Sequence, residues 1–187
     1  AQITVNDTLP EDAVEIKDMA LRSRLLYYGT NKDGYVSYDE MKAIDFIQVD
    51  SDKGKTLEDI SCLKHAENLE TCYLNNTNIS DLTPIAGLKN LKRLYIYNDE
   101  KVTDISALKD LTQLTILDIS ETKVTDITSL ATLENLERLD ISKTDITNIS
   151  AIGNLKDLKW LNMNDTKVTD ISALESATAL RYFLAKN

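Results

Sequence analysis

From residue 69 onward the apolar positions return on a fixed beat. One unit reads Leu114-Thr-Ile-Leu117-Asp-Ile119-Ser-Glu-Thr122-Lys-Val124-Thr-Asp126-Ile127-Thr-Ser-Leu130-Ala-Thr-Leu133, and the next starts at Leu136. The leading leucines, Leu69, Leu91, Leu114, Leu136, Leu158 and Leu180, are separated by 22, 23, 22, 22 and 22 residues. A fixed period of this length marks a repeat architecture. Within each unit Leu-x-x-Leu-x-Leu/Ile alternates apolar and polar residues, which predicts a half-buried strand. Leu91, Leu94 and Ile96 then point inward, as do Leu136, Leu139 and Ile141, and Leu158, Leu161 and Met163. The second half of the unit spaces its apolar residues three apart (Val124, Ile127, Leu130, Leu133), which predicts a turn followed by a short 3₁₀ or helical segment. Stacked units bury these faces against one another, giving a parallel sheet on one side and helical turns on the other.

The first 43 residues carry a different pattern. Thr8-Leu-Pro10-Glu-Asp has the order of a helix start: a hydroxyl cap, a proline in the first turn and acids at the positive dipole end. Ala13, Val14, Ile16, Ala20, Leu21, Leu25 and Tyr28 fall on one face at helical spacing, so one helix is expected from there to Tyr28. The stretch after it, Asn31-Lys-Asp33-Gly34-Tyr-Val36-Ser37-Tyr-Asp39-Glu40, looks like an EF-hand calcium loop. With Gly34 at the turn, Asn31, Asp33 and Glu40 take ligand positions, but Gly29 stands where the leading carboxylate belongs. Asn31, Asp33 and Glu40 are therefore weak metal candidates, and no ion is expected at micromolar calcium. The structural reading is a tight Asp33-Gly34 turn, then a Ser37/Glu40 capping box opening a second helix with Met41, Ile44 and Ile47.

The repeating unit is similar to the leucine-rich repeat. Its length, its Thr/Ser-Asp-Ile/Leu-Ser/Thr phrase and the helical cap with a degenerate EF-hand-like loop resemble the internalin family of bacterial surface proteins. The resemblance covers nearly the whole chain. It implies an α/β solenoid: a leucine-rich repeat horseshoe or arc, parallel β-sheet on the concave face, short 3₁₀ or helical turns on the convex face, with residues 1–43 as N-terminal cap and 44–187 as the array. It further implies host or surface proteins as ligands and an extracellular or cell-surface location. One departure concerns the family's turn asparagine, replaced here by Thr77, Thr122, Thr144 and Thr166, with Glu100 taking the slot in the lengthened repeat. Threonine reaches less far than asparagine, so more water is expected at those turns.

An acidic column, Asp59, Asp81, Asp104, Asp126 and Asp170, broken by Asn148, raises the question of a metal ladder. Neighbouring repeats lie roughly 5 Å apart at the sheet, and stacked carboxylates at such a spacing repel unless neutralised. Capping of the helical turns, whose exposed amides want acceptors, is the preferred reading.

Charge and composition narrow the function classes. Lys+Arg 21 against Asp+Glu 31 gives a net charge of −10 with no basic cluster, which disfavours nucleic acid and anionic membranes as partners. No apolar run approaches the roughly 18 residues of a membrane span, so no membrane insertion is expected within this segment. The start, Ala1-Gln-Ile-Thr-Val-Asn-Asp, lacks the charged and apolar regions of a signal peptide, so the protein is either cytosolic or already processed. Cys72 fills a slot that leucine holds in later repeats and reads as a small core hydrophobe; a disulfide with Cys62 is the alternative. No nucleophile elbow, phosphate-binding glycine loop or zinc spacing is present, and the one histidine, His65, reads as an exposed polar residue. No catalysis and no cofactor are expected. Leu180-Arg-Tyr-Phe183-Leu-Ala185 begins another unit and stops, which leads to the expectation that the natural chain continues past Asn187 or that another chain covers this edge.

The positions the scaffold leaves free are the outward strand residues. They include Tyr73; Arg93, Tyr95 and Tyr97; Ile116 and Asp118; Arg138 and Asp140; Trp160 and Asn162; and Tyr182. The only Trp and four of the eight Tyr lie on this one face. Aromatic residues and arginine dominate binding hot spots, and strands hold them with little entropy left to lose. The expectation is a protein-binding concave face with an aromatic zone at each end and an acidic saddle (Asp118, Ser120, Asp140, Ser142) between. An intracellular regulator that docks on an enzyme, with a cytoplasmic location, and a structural spacer of a larger surface protein are the other readings.

Overall fold

A computed structural model describes residues 9–28, 33–49 and 56–186. Two short helices, α1 (Met19–Tyr28) and α2 (Tyr38–Ala43), precede an array of three-residue strands alternating with 3₁₀ turns. The strands are β1 (Phe46–Gln48), β2 (Thr71–Tyr73), β3 (Arg93–Tyr95), β4 (Ile116–Asp118), β5 (Arg138–Asp140), β6 (Trp160–Asn162) and β7 (Tyr182–Leu184). They form one open parallel sheet in sequence order, and the register puts Cys72, Leu94, Leu117, Leu139 and Leu161 in one row. The fold is therefore the parallel-sheet solenoid expected from the period, and the leucine-rich repeat arc that the resemblance implies.

The core is a single stack. Leu91, Leu94, Leu117, Leu136, Leu139, Leu158 and Leu161 are each 0% exposed, and the buried cluster runs without a break from Val14 in the cap to Val168. Each repeat returns along the convex side through a 3₁₀ turn such as Thr128–Thr132 or Ser150–Asn154. The acidic column starts those turns. Asp59, Asp81, Asp104, Asp126, Asn148 and Asp170 each accept a hydrogen bond from the N–H two residues on, at 2.7 to 2.8 Å. Asn148 makes the same bond as the aspartates, so the column serves the scaffold with or without charge.

At the other turn, after each strand, Asn76, Asn98, Glu121, Lys143 and Asp165 hold positive φ between 55 and 60°. The following threonines turn their hydroxyls back onto the chain: Thr122 to the Ile119 carbonyl at 2.7 Å, Thr144 to Ile141 at 2.6 Å and Thr166 to Met163 at 3.0 Å. The hydroxyls are thus bonded directly to backbone carbonyls of the same turn. The lengthened repeat differs from expectation. Glu100 is exposed; Asp99, 0% exposed, holds the slot and accepts from the Thr77 amide and, at 2.9 Å, the Thr77 hydroxyl. The extra residue falls after the turn, because only a residue 22 after Thr77 stacks on it.

The cap departs most from its pattern. The helix expected from Thr8 starts only at Met19, where the Asp18 carboxylate accepts from the Ala20 and Leu21 amides at 2.8 and 3.0 Å. Val14 is instead extended: its N–H donates to Val36 at 2.8 Å, and Tyr38 donates to Asp12 at 2.9 Å. Val14 and Ile16 alternate and are β-branched, which suits an extended segment as well as a helix face. The second helix ends at Ala43, so Ile44 is its C-cap and Ile47 is the buried middle residue of β1. Ser37 and Glu40 form the capping box. Gly34 takes the positive φ of the turn (97°), and Asp33 accepts from the Tyr35 amide at 3.2 Å. Asn31 and Gly29 of the EF-hand-like loop lie outside the described residues. Glu40 spends one carboxylate oxygen on the cap, which competes with any role as a calcium ligand.

Candidate functional site

Parallel register lines the outward residues into lanes. In the first lane Phe46, Thr71, Arg93, Ile116, Arg138, Trp160 and Tyr182 stand side by side across β1 to β7. In the second, Gln48 is followed by Tyr73, Tyr95, Asp118, Asp140 and Asn162, and then by Leu184. Every residue singled out for this face apart from Tyr97, Ser120 and Ser142 falls in one of these two lanes; these three lie just beyond β3, β4 and β5, and the Tyr97 carbonyl accepts from the Asn76 amide at 3.2 Å.

The N-terminal end is an aromatic strip. Tyr73 and Tyr95 stack with centroids 4.2 Å apart and planes at 1°, and Phe46 leans on Tyr73 at 5.8 Å and 53°. Tyr28, from the end of α1, meets Phe46 edge-on at 6.4 Å. Burial pushes the Tyr95 phenol above its ordinary pKa, with a hydrogen bond to Tyr73 adding to the shift. Arg93 donates from Nε to the Thr71 hydroxyl at 3.0 Å, which ties its stem to the neighbouring strand. Phe46 has no place in the sequence reading, and Tyr28 enters it only as part of the helix face. The step from Phe46 to Thr71 is 25 residues, so the first strand is out of beat, and the alternation Phe46-Ile47-Gln48-Val49 is its one signal.

At the other end, the Arg138 guanidinium lies 3.8 Å over the Trp160 ring. A planar cation on an indole face holds both groups in place by cation–π attraction. Tyr182, next in the lane, is 66% exposed.

Between the zones the saddle is ordered by its own hydrogen bonds. Asp118 accepts from the Ser120 amide and hydroxyl at 3.0 and 2.6 Å, and Asp140 repeats the arrangement with Ser142 at the same distances. Asn162 donates to the second Asp140 oxygen at 3.1 Å and accepts from the Asn164 amide. Burial raises the Asp118 pKa; the bonds from Ser120 oppose this and the nearby Asp140 adds to it. Asp140 is only 9% exposed, and Thr71 and Ser142, outward by position, are buried too. The neighbouring strands lie close enough for flanking side chains to cover small polar ones, a screening that alternation alone does not reveal.

Three other candidates can be placed. Cys62 and Cys72 are free thiols in the core, and burial pushes each pKa up to about 12, which keeps them protonated. His65 is half-buried, not exposed, with its ring edge-on to Tyr38 at 4.8 Å; burial lowers its pKa, helped by Lys64. Among the described residues no three His, Cys, Asp or Glu side chains converge as a metal site would require.

The sequence family described as Leucine Rich repeats (2 copies) matches residues 67–110 and 134–176. Internalin I of Listeria monocytogenes is 40% identical over 52 residues, covering 28% of this chain and 3% of that protein. The crystal structure of the Listeria monocytogenes internalin inlF superposes with a TM-score of 0.71 at 28% identity, over 90% of this chain and 56% of that one. This is an internalin-like leucine-rich repeat protein. The internalin C2 structure from the same organism shares the fold, with a TM-score of 0.65 at 23% identity over 90% of this chain and 93% of its own. The internalin-like chain thus spans a small part of internalin I and just over half of the inlF structure. Among its described residues no helix is long and apolar enough to cross a membrane.

Proposed function

We propose that the protein is a non-enzymatic binding module of the cell surface or extracellular space, and that its concave face grips a folded protein ligand. The observation that carries this reading is the pre-ordered face itself: the stacked Tyr73 and Tyr95 at one end and Arg138 on Trp160 at the other. Rings already held in place lose little freedom on binding, which favours affinity. β3 and β6 are three strand spacings apart, so the zones are separated by roughly 14 Å, a span suited to a protein surface more than to a small molecule. The saddle of Asp118 and Asp140 between them suits a basic protrusion of the ligand. The likeness to internalins supports the surface location.

Photo-crosslinking tests this. A benzophenone side chain placed at Tyr97 or Tyr182, both solvent-facing, should capture the ligand, while the same group at Lys109 or Lys156 on the convex side should not. Capture from the convex positions alone would move the site to the other side of the arc.

A further inference from the structure

Where the aromatic strip meets the cap, a cavity of about 380 Å³ opens between α1, α2 and β1. Its described lining combines the aromatic residues Tyr28 and Phe46, the small or apolar Ala43 and Ile44, and the acids Asp39, Glu40 and Asp45. We propose that this cavity receives the basic side chain of a partner protein, a lysine or arginine whose stem lies along the rings and whose cationic head meets the carboxylates.

The chemistry of the lining selects this occupant. Aromatic faces attract cations, and an aliphatic stem buries well on rings and small apolar side chains while its head stays at a polar rim. The volume falls within the roughly 300 to 1,000 Å³ of pockets that enclose small ligands. Three carboxylates are present, and among the described lining residues there is no lysine or arginine. Lys42, on the same helix, is held away by Glu67 at 2.7 Å. Among the described residues these carboxylates do not converge as a metal site requires. A calcium ion wants six to eight oxygens about one point, whereas acids that do not converge suit an extended organic cation.

The positions are also fixed in advance. The capping box anchors Glu40 through the Ser37 amide and hydroxyl, at 3.1 and 3.2 Å. The Asp45 carbonyl accepts from the Glu70 and Thr71 amides at 2.8 and 3.1 Å, which pins the residue to the sheet edge. Phe46 is 38% exposed, so its ring face is open to an incoming stem. It is also the first ring of the concave strip, and a partner lying on Tyr73 and Tyr95 passes the mouth of the cavity. Occupancy by a basic side chain is nevertheless independent of which face the rest of a partner covers.

The test uses the 187-residue protein and defined probes. In amide-resolved NMR, Nα-acetyl-lysine methylamide or its arginine counterpart should shift the amides of Ala43, Ile44, Asp45 and Phe46 in a saturable, salt-sensitive way. The norleucine analogue, with a similar stem and no charge, should bind at least about fivefold more weakly. Phe46→Ala and Asp45→Asn should each weaken the lysine probe by about two- to fivefold, the range expected of one partly exposed cation–π or ion-pair contact. Both side chains face solvent, so the dispersed spectrum should survive; Asp39→Asn, on the exposed side of α2, serves as a second variant. Equal binding of norleucine, shifts clustered at Asp118 and Asp140, insensitivity to all three variants, or calcium shifting the same amides and displacing the lysine probe would each overturn the proposal. Loss of protein-ligand binding on Tyr95→Ala or Trp160→Ala with the probe unaffected separates this site from the concave one.

Discussion

Within residues 1–187 the first and last strands of the sheet bury the same inward row to different degrees. At β1 the row of inward residues begins with Ile47, 0% exposed under the cap helices, whereas at β7 the equivalent residue, Phe183, is 39% exposed. Ile171 and Leu184 beside it are 51% and 45% exposed. The sequence unit is the same in kind, so the difference comes from the neighbour and not from the residue. Burial in a solenoid is conferred by the next repeat, and stability is close to a sum of nearest-neighbour interfaces.

The largest test of that contrast is truncation of the same row at two places. Leu139→Ala, in the closed middle, should cost about 2 to 5 kcal/mol, with slower-protected amides lost in the flanking repeats as well. Phe183→Ala removes a larger side chain and should still cost less, about 1 kcal/mol, because much of the ring is already in water. Equal losses in urea denaturation of the 187-residue chain would mean that a covering repeat does not set the cost.

A smaller effect is expected where one buried acid replaces the threonine of other repeats. Asp99→Ala leaves the Thr77 amide and hydroxyl without their acceptor and should destabilise by about 1 to 3 kcal/mol. Asp126→Ala, by contrast, removes an exposed acceptor just before a 3₁₀ turn and should cost about 1 kcal/mol. Thermal unfolding of the two variants ranks them.

Smaller still is a pH effect in the saddle. Burial raises the Asp118 pKa from its ordinary value, so between the unfolded and the folded pKa the folded state holds more proton than the unfolded chain. Stability tied to this group therefore falls as pH rises from the unfolded pKa through the folded one. Asp118→Asn keeps an oxygen for Ser120 and should flatten the stability profile on the alkaline side of the ordinary aspartate pKa, read from urea midpoints. The smallest effects belong to the ion pairs between adjacent repeats, Lys143–Glu121 and Lys159–Glu137, at 2.8 and 2.7 Å. Their side chains are about half exposed, so Lys159→Ala should change stability by less than about 1 kcal/mol.

What was legible in the sequence follows the same division. The array could be read because one period fixes strand, register and core together; Leu94, Leu117 and Leu139 had only one place to go. The cap has no period to arbitrate. Val14 and Ile16 fit a helix face and an extended segment equally, and the bond from Val14 to Val36 decided between them. Ile47 was assigned to a helix because its strand stands 25 residues, not 22, before the next. On the concave face the lanes were legible from alternation, while the stacking of Tyr73 on Tyr95, the seating of Arg138 on Trp160 and the screening of Asp140 were not. Those depend on which way a side chain leans across to the next strand, a choice that spacing does not encode.

The central claim is that ligand binding resides on the concave face, and affinity measured by calorimetry with a partner recovered by pull-down tests it most directly. Tyr95→Ala and Trp160→Ala should each weaken binding by about 2 kcal/mol or more, roughly thirtyfold, with the array still folded and with Lys109→Ala and Lys156→Ala unchanged. Unchanged affinity in both concave variants, with loss only in the convex ones, would contradict it.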